Sequence, residues 1–351
     1  MIQVNTSLWI VMMIAWLAFA ITSYLSLRLA RGAIFLHLVD HPNARSLHQQ
    51  PVPRTGGLAI LAGTMIGGWL MLLVTTGAAV QPLGFMFAGL LPLVLVSVID
   101  DCRGVAARWR ILVHLSGAVS LTAAGLVPAR LDLPGLTLPL ALGLALPLTL
   151  GFIVWMTNLY NFMDGMDGFA GGMAVIGFST LAWLGRTDAG FATLCLTVAA
   201  ASAGFLIHNF PPAKIFLGDT GSTMLGFLAA ACSLWGSRAG LFPFWIALLI
   251  FSPFIVDATV TLLRRLWRGE KVWEAHRSHY YQRLVLLGWG HRRTVLAEYA
   301  LMLACAGSAV LAGPLPPAGQ AALAGGWIAI YGLLMGAVAR LEQRAVAGAC
   351  R

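Results

Sequence analysis

The sequence predicts an all-α fold, a polytopic membrane helix bundle with about 10 to 11 transmembrane helices. Three observations predict it. The 351 residues are 59% hydrophobic and only 10% charged, where soluble domains carry about 25% charged residues. Mean hydropathy is +0.83. Apolar runs near the roughly 20 residues that cross a bilayer recur along the chain, separated by charged or Gly/Pro-rich gaps. A soluble globule is excluded, and 1–351 reads as a single integral membrane domain without internal repeats.

The first run, 8–27, has no basic residue before it and no small-residue cleavage site after it, so it reads as a retained helix. The loop behind it carries Asp40-His41-Pro42-Asn43-Ala44-Arg45-Ser46-Leu47-His48 and Pro51-Val52-Pro53-Arg54-Thr55-Gly56-Gly57. Prolines and glycines shape a turn there, and Arg45, His48 and Arg54 can face anions. Runs at 57–77 and 84–99 follow, the second closing on Asp100-Asp101, with Arg108 and Arg110 further on. Adjacent carboxylates repel unless a cation or a shared proton relieves them. They suit Mg2+ ligation or general-base work, with a solvated helix end as the bland alternative.

Runs at 111–127 and 139–157 lead into Asn158-Leu159-Tyr160-Asn161-Phe162-Met163-Asp164-Gly165-Met166-Asp167-Gly168. Asn158, Asn161, Asp164 and Asp167 recur every third residue and can present one polar edge. Gly165, Gly168, Gly171 and Gly172 remove side chains where backbone can approach a phosphate or nucleotide. An interfacial turn with capping residues would share this composition.

Runs at 169–185 and 190–207 precede Lys214-Ile215-Phe216-Leu217-Gly218-Asp219-Thr220-Gly221-Ser222, which opens the run at 221–235. An acid among small, donor-rich residues at a helix start can hold Mg2+ while amides face phosphate oxygens, or it can simply cap the helix. After 241–262 comes the longest loop, 264–293, with His276-Arg277-Ser278-His279-Tyr280-Tyr281-Gln282-Arg283. Clustered Arg and His suit an anionic diphosphate, whereas zinc would need a further soft ligand. Asp257 and Glu298, near helix ends, read as supporting or packing groups. Runs at 294–312 and 320–339 complete the chain. The cysteines Cys102, Cys195, Cys232, Cys305 and Cys350 are scattered, which implies neither disulfide nor metal.

Charge sets the orientation. With the N-terminus outside, only Arg130, Arg186 and Arg238 of the 22 Lys and Arg residues fall outside, as the positive-inside rule demands. The net charge of +9 is thus a topological signal, not a nucleic-acid footprint. Of the 13 acids only Asp132 and Asp188 lie outside, and all 8 histidines lie inside. A transporter or flippase of lipid-linked sugars, the rival reading, would carry polar groups near the bilayer midplane. Polar groups gathered at one cytoplasmic surface favour an enzyme with an interfacial site.

The segments between Asp40 and Arg283, taken in order, resemble the polyprenyl-phosphate N-acetylhexosamine-1-phosphate transferase family, of the glycosyltransferase family 4 type. Each motif alone is modest, but the ordered set is specific. The His276-Arg277-Ser278-His279 form looks most like the branch that initiates O-antigen or other surface polysaccharide. The peptidoglycan enzyme has a run of adjacent histidines there.

The resemblance implies a multi-pass protein of the bacterial inner membrane. Its reaction would transfer a HexNAc-1-phosphate from a UDP-N-acetylhexosamine to undecaprenyl phosphate, releasing UMP, with Mg2+ or Mn2+. It implies Asp219 as the principal metal ligand, assisted by Asp101, and Asp100 as base or nucleophile. Asp164, with Asn161 and Asn158, would line the diphosphate region. Asp167 would hydrogen-bond uracil, Phe216 would stack on it, and Arg110 and Arg54 would bind phosphate. His276, Arg277 and His279 would close over the diphosphate and sugar. The identity of the sugar and the oligomeric state, homodimer included, stay open.

Overall fold

The computed structural model describes residues 2–32, 38–40, 51–74, 80–272 and 276–349. The expected loop residues Arg45 and His48, and Cys350, lie outside the described residues. Among the described residues the apolar runs are helical. They form α1 (Ile2–Ala30), α2 (Gly56–Val74), α3 (Val80–Arg103), α4 (Ala107–Ala123), α5 (Leu142–Phe162), α6 (Phe169–Leu184) and α7 (Ala189–Asn209). After them come α8 (Gly218–Arg238), α9 (Phe244–Ile250), α10 (Ser252–Trp267), the short α11 (Tyr280–Leu284), α12 (Gly290–Ala312) and α13 (Pro317–Ala349).

Among the described residues, seven helical stretches are long and apolar enough to cross a membrane, or eight if α9 and α10, bent by 79°, count as one span. The chain is a multi-pass membrane protein. The other runs differ for a physical reason. α4 and α6 have only 17 and 16 residues. α8 has 21 residues, but everything from Thr220 to Gly236 is buried among other helices. A helix wrapped by protein needs no lipid-facing hydropathy, so Ser, Thr and Gly can sit on its wall.

α8 packs against α2, α3, α5, α6 and α9 and is the axis of the bundle. Its approach to α2 is closest at two glycines: a Cβ on Gly57 would lie 2.2 Å from the Gly221 nitrogen. No larger residue fits there. The 53–57 segment also clips the chain before α8 in register. Phe216 N–H donates to Pro53 O at 2.7 Å, while Gly56 and Gly57 N–H donate to Phe216 O and Leu217 O at 2.9 and 2.8 Å.

Two small hairpins depart from the all-helical expectation. β1 (Val39–Asp40) pairs antiparallel with β2 (Val52–Pro53), and β3 (Arg130–Leu133) with β4 (Leu136–Pro139). The second is a local signal. Leu131, Leu133, Leu136 and Leu138 alternate around Gly135, whose φ of 75° makes the turn. The loop expected over 264–293 is also shorter, since α10 runs to Trp267 and α11 forms within it, followed by a π-turn at Val285–Trp289.

Candidate active site

α3 and α5 end, and α4 and α8 begin, at the same end of the bundle. Asp101, at the last turn of α3, accepts hydrogen bonds from the Asp219 N–H (3.0 Å), the Thr220 N–H (3.0 Å) and the Thr220 hydroxyl (2.8 Å). Those two amides are orphan donors of the first turn of α8, so Asp101 caps that helix from another one. Arg54 donates to the Asp101 carbonyl at 2.7 Å and keeps its Nε 3.9 Å from the carboxylate. Among the described residues that buried Nε has no hydrogen-bond acceptor. Asp101, expected to assist a metal, thus spends its oxygens on the joint between α3 and α8.

Asp219 emerges beside it with one oxygen accepting from Asn161 Nδ2 at 2.8 Å, and the same amide donates to Ser222 Oγ at 2.9 Å. Arg110 lies between two acids, 2.9 Å from Asp100 Oδ2 and 3.7 Å from Asp219 Oδ2. The other Asp100 oxygen accepts the Val105 N–H at 2.5 Å. Asp100, Asp219, Arg110, Arg54 and Val105 line an open cleft of about 470 Å³ together with Cys102 and Arg103. Burial, then the Asp100 carboxyl and the charge of Asp101, push Asp219 up to about 7.

The three-residue stripe does not present one edge. It fans out, because α5 stops at Phe162 and the chain turns away. Asn158 donates to His114 on α4 (3.0 Å) and to Val154 O (2.7 Å), and Asn161 faces α8. Asp167 lies 3.0 Å from His291 Nδ1 on α12 and accepts the Ala213 N–H at 3.1 Å. The Asp164 N–H donates to Asn161 O at 3.2 Å, but its carboxyl group has no hydrogen bond or ion pair among the described residues, and burial, then nearby Asp219, Asp101 and Asp167, raise its pKa well above the usual range.

The glycines of this stretch serve packing, not approach by a phosphate. A Cβ on Gly165 would meet Tyr281 Oη at 2.2 Å, and one on Gly172 would meet the Tyr299 ring at 2.0 Å. Gly168, at φ 75°, has its carbonyl held by the Tyr299 hydroxyl at 2.6 Å.

The 276–283 segment is fastened to the same turn. Asp257 on α10 accepts the N–H groups of Tyr280 (2.9 Å) and Tyr281 (3.1 Å) and lies 3.3 Å from His279 Nδ1. Tyr281 in turn donates to Phe162 O at 3.3 Å and packs on Phe169, with ring centroids 4.7 Å apart. His279 is buried and stacks on Tyr281, while His276 Nδ1 pairs with Ser278 Oγ at 2.8 Å. Arg277 is exposed on the side of α10 and lines a different cavity from the carboxylate cleft. Phe216 is half-buried, its backbone clipped to 53–57.

Sequence reasoning passed over His114, Thr220, Ser222 and His291. Thr220 and Ser222 sit inside a motif that drew attention to its acid. His114, four residues after Arg110 on α4, shares its helix face, a readable spacing. Nothing local in the sequence marks His291.

Among the described residues no three Asp, Glu, His or Cys side chains form a ready cation cage. Mg2+ seldom needs one, since it is commonly held by one or two carboxylates, with water and substrate phosphates completing its shell. Asp219, partly exposed at the cleft, and the unpaired Asp164 are hard oxygen donors of that kind. The donor set therefore fits Mg2+, with Asp219 first.

Residues 83–237 match the family described as glycosyl transferase family 4. A Bacillus subtilis (strain 168) protein described as a probable undecaprenyl-phosphate N-acetylglucosaminyl 1-phosphate transferase is 34% identical over 277 residues, covering 77% of this chain and 76% of its own. The decaprenyl-phosphate N-acetylglucosaminephosphotransferase of Mycobacterium tuberculosis (strain CDC 1551 / Oshkosh) is 31% identical, over 75% of this chain and 73% of its own. A phospho-N-acetylmuramoyl-pentapeptide-transferase of Pelotomaculum thermopropionicum (strain DSM 13744 / JCM 10971 / SI) is 29% identical, over 85% and 97%. With acids of α3 and α8 converging on one cleft and relatives of this length and identity, the chain belongs to glycosyl transferase family 4, alongside polyprenyl-phosphate sugar-1-phosphate transferases.

Proposed function

We propose that this protein transfers a HexNAc-1-phosphate from a UDP-N-acetylhexosamine to undecaprenyl phosphate, giving undecaprenyl-diphosphate-HexNAc and UMP. The observation that carries the reading is the convergence of Asp100, Asp219, Asn161, Arg110 and Arg54 at one end of the bundle, around a cleft open to solvent. In this reading that end faces the cytoplasm of a bacterial inner membrane, and the step opens assembly of O-antigen or another surface polysaccharide.

The exchange replaces one phosphoanhydride with another, so catalysis reduces to positioning and charge neutralisation. Arg110 and Arg54, both lining the cleft, supply fixed positive charge for phosphate oxygens. Asn161 holds the Asp219 carboxylate in one orientation. When bound there, Mg2+ or Mn2+ would neutralise the diphosphate and ease departure of UMP. Both Asp100 oxygens are engaged by Arg110 and Val105, which favours direct attack by the lipid phosphate over a phospho-aspartyl intermediate. That phosphate needs little help from a base, because its second ionisation lies near neutrality. Phe216 offers a ring for the uracil. Contact of Asp167 with the base requires exchange of its present partners, His291 and Ala213.

The test is direct. Purified protein, Mg2+ and undecaprenyl phosphate are incubated with a panel of UDP-N-acetylhexosamines while UMP and lipid product are measured. One member of the panel should give both products in equal amounts. Silence with every sugar, under conditions that support a related enzyme, rejects the assignment. Movement of preformed lipid-linked sugar without UMP would favour the transporter reading.

A further inference from the structure

Arginines from α10, the 276–279 segment and α11 surround a second cavity of about 380 Å³ on the side of α10 that faces α13. Arg264, Arg265, Arg268, Arg277 and Arg283 line it, with Glu342 of α13 as the one carboxylate among the described residues. It shares no lining residue with the carboxylate cleft.

The cavity is built rather than a loose basic face. Arg265 is only 6% exposed, held by Glu270 Oε2 at 2.8 Å and by Lys271 O at 2.9 Å. Arg283 is pinned by both oxygens of Glu342. Arg264 donates to the Tyr280 hydroxyl at 2.5 Å, and its guanidinium lies over that ring. Arg268 is 3.9 Å from Glu270, with its side chain 63% exposed. Five guanidinium groups thus face one cavity, with Glu270 and Glu342 as carboxylate partners among the described residues.

Wall chemistry identifies the occupant. Leu286 and Leu287 form an apolar part of its lining. On α10, Leu263, Leu266 and Trp267 point outward, Trp267 at 92% exposure, interleaved with Arg264, Arg265 and Arg268. Trp beside Arg, bordered by exposed leucines, is the composition of a helix end at headgroup level. A soluble phosphate would not need the apolar wall.

We propose that this cavity binds the phosphate of an anionic membrane phospholipid, with the acyl chains leaving along Leu286 and Leu287, at a site separate from the one that handles substrate. The general attraction of a basic face for anionic lipid becomes here a pocket with a defined donor set.

The full chain in zwitterionic detergent, titrated with phosphatidylglycerol, phosphatidylcholine or inorganic phosphate and followed by native mass spectrometry, tests this. Phosphatidylglycerol should bind about tenfold more tightly than phosphatidylcholine, and Arg264→Gln with Arg268→Gln should remove about that factor. Arg268→Gln alone, at an exposed side chain, should give a smaller loss in the same direction. Equal binding of the two lipids, or unchanged phosphatidylglycerol binding in a double variant that melts like wild type, overturns the proposal. So does displacement of phosphatidylglycerol by an equal concentration of inorganic phosphate, which would assign the cavity to free anions. Loss of UDP-sugar binding in the double variant would assign it to substrate and overturn it too.

Discussion

Asp101 and Asp219 are neighbours at one helix start, yet their amide variants should fail differently. Asp219→Asn keeps the cap and removes charge at the cleft, so UMP release should fall at least about 100-fold with little change in melting temperature. Asp101→Asn leaves part of the first turn of α8 without an acceptor, so it should lower stability by about 1 to 3 kcal/mol as well as activity. Matching losses of stability in the two variants would contradict the division of roles. His276 gives a pH signature. Burial, then His279 and Arg265, hold it down at about 4 against an ordinary 6.5. Between those values the unfolded chain binds a proton that the folded chain refuses, so stability falls as pH drops from 6.5 towards 4 and levels off below. In His276→Gln the same melting-temperature profile should be flatter by about one proton. A profile as steep as wild type would count against a neutral His276.

At the scale of helices, the α2–α8 contact is the least forgiving. Gly57→Ala would push a methyl into the Gly221 backbone and should cost about 1 to 3 kcal/mol, read as a lowered melting temperature. The fastening of α11 is testable separately. Asp257→Asn weakens the hold on Tyr280, Tyr281 and His279 and should raise the KM for UDP-sugar more than it lowers kcat, whereas equal effects would argue against a loop-positioning role. The sequence made the helices legible, because apolar length survives any arrangement of neighbours. It also made Asp100, Asp101, Asn161 and Asp219 legible as a group, since acids and amides recur where the apolar runs end, although capping, the use Asp101 has, leaves the same mark. The direction of each side chain was not legible. Whether Asn158 meets His114 or the cleft depends on where α5 stops, and that depends on a turn shaped by contacts with Tyr281 and Tyr299 more than a hundred residues away. The run at 221–235 shows the same limit, because it reads as a span like the others while the surroundings of α8 are protein.

For the whole molecule, the expected orientation can be read from the native cysteines. Cys102 is exposed in the cleft, while Cys195, Cys232 and Cys305 are buried. In a Cys350→Ser background, a membrane-impermeant maleimide should label inside-out vesicles and spare right-side-out ones, and UDP-sugar with Mg2+ should slow the labelling. Labelling from the other face would reverse the topology drawn from the positive charges. The cap on α8 also has a meaning for biosynthesis. Asp101 leaves the ribosome 118 residues before the amide of Asp219 that it will bind. Until α8 is threaded among its neighbours, a newly made α3 must keep that carboxylate hydrated at the membrane edge. That end of the bundle is therefore completed only once α8 is in place, and a chain interrupted before Gly218 would leave the Asp101 carboxylate without those donors.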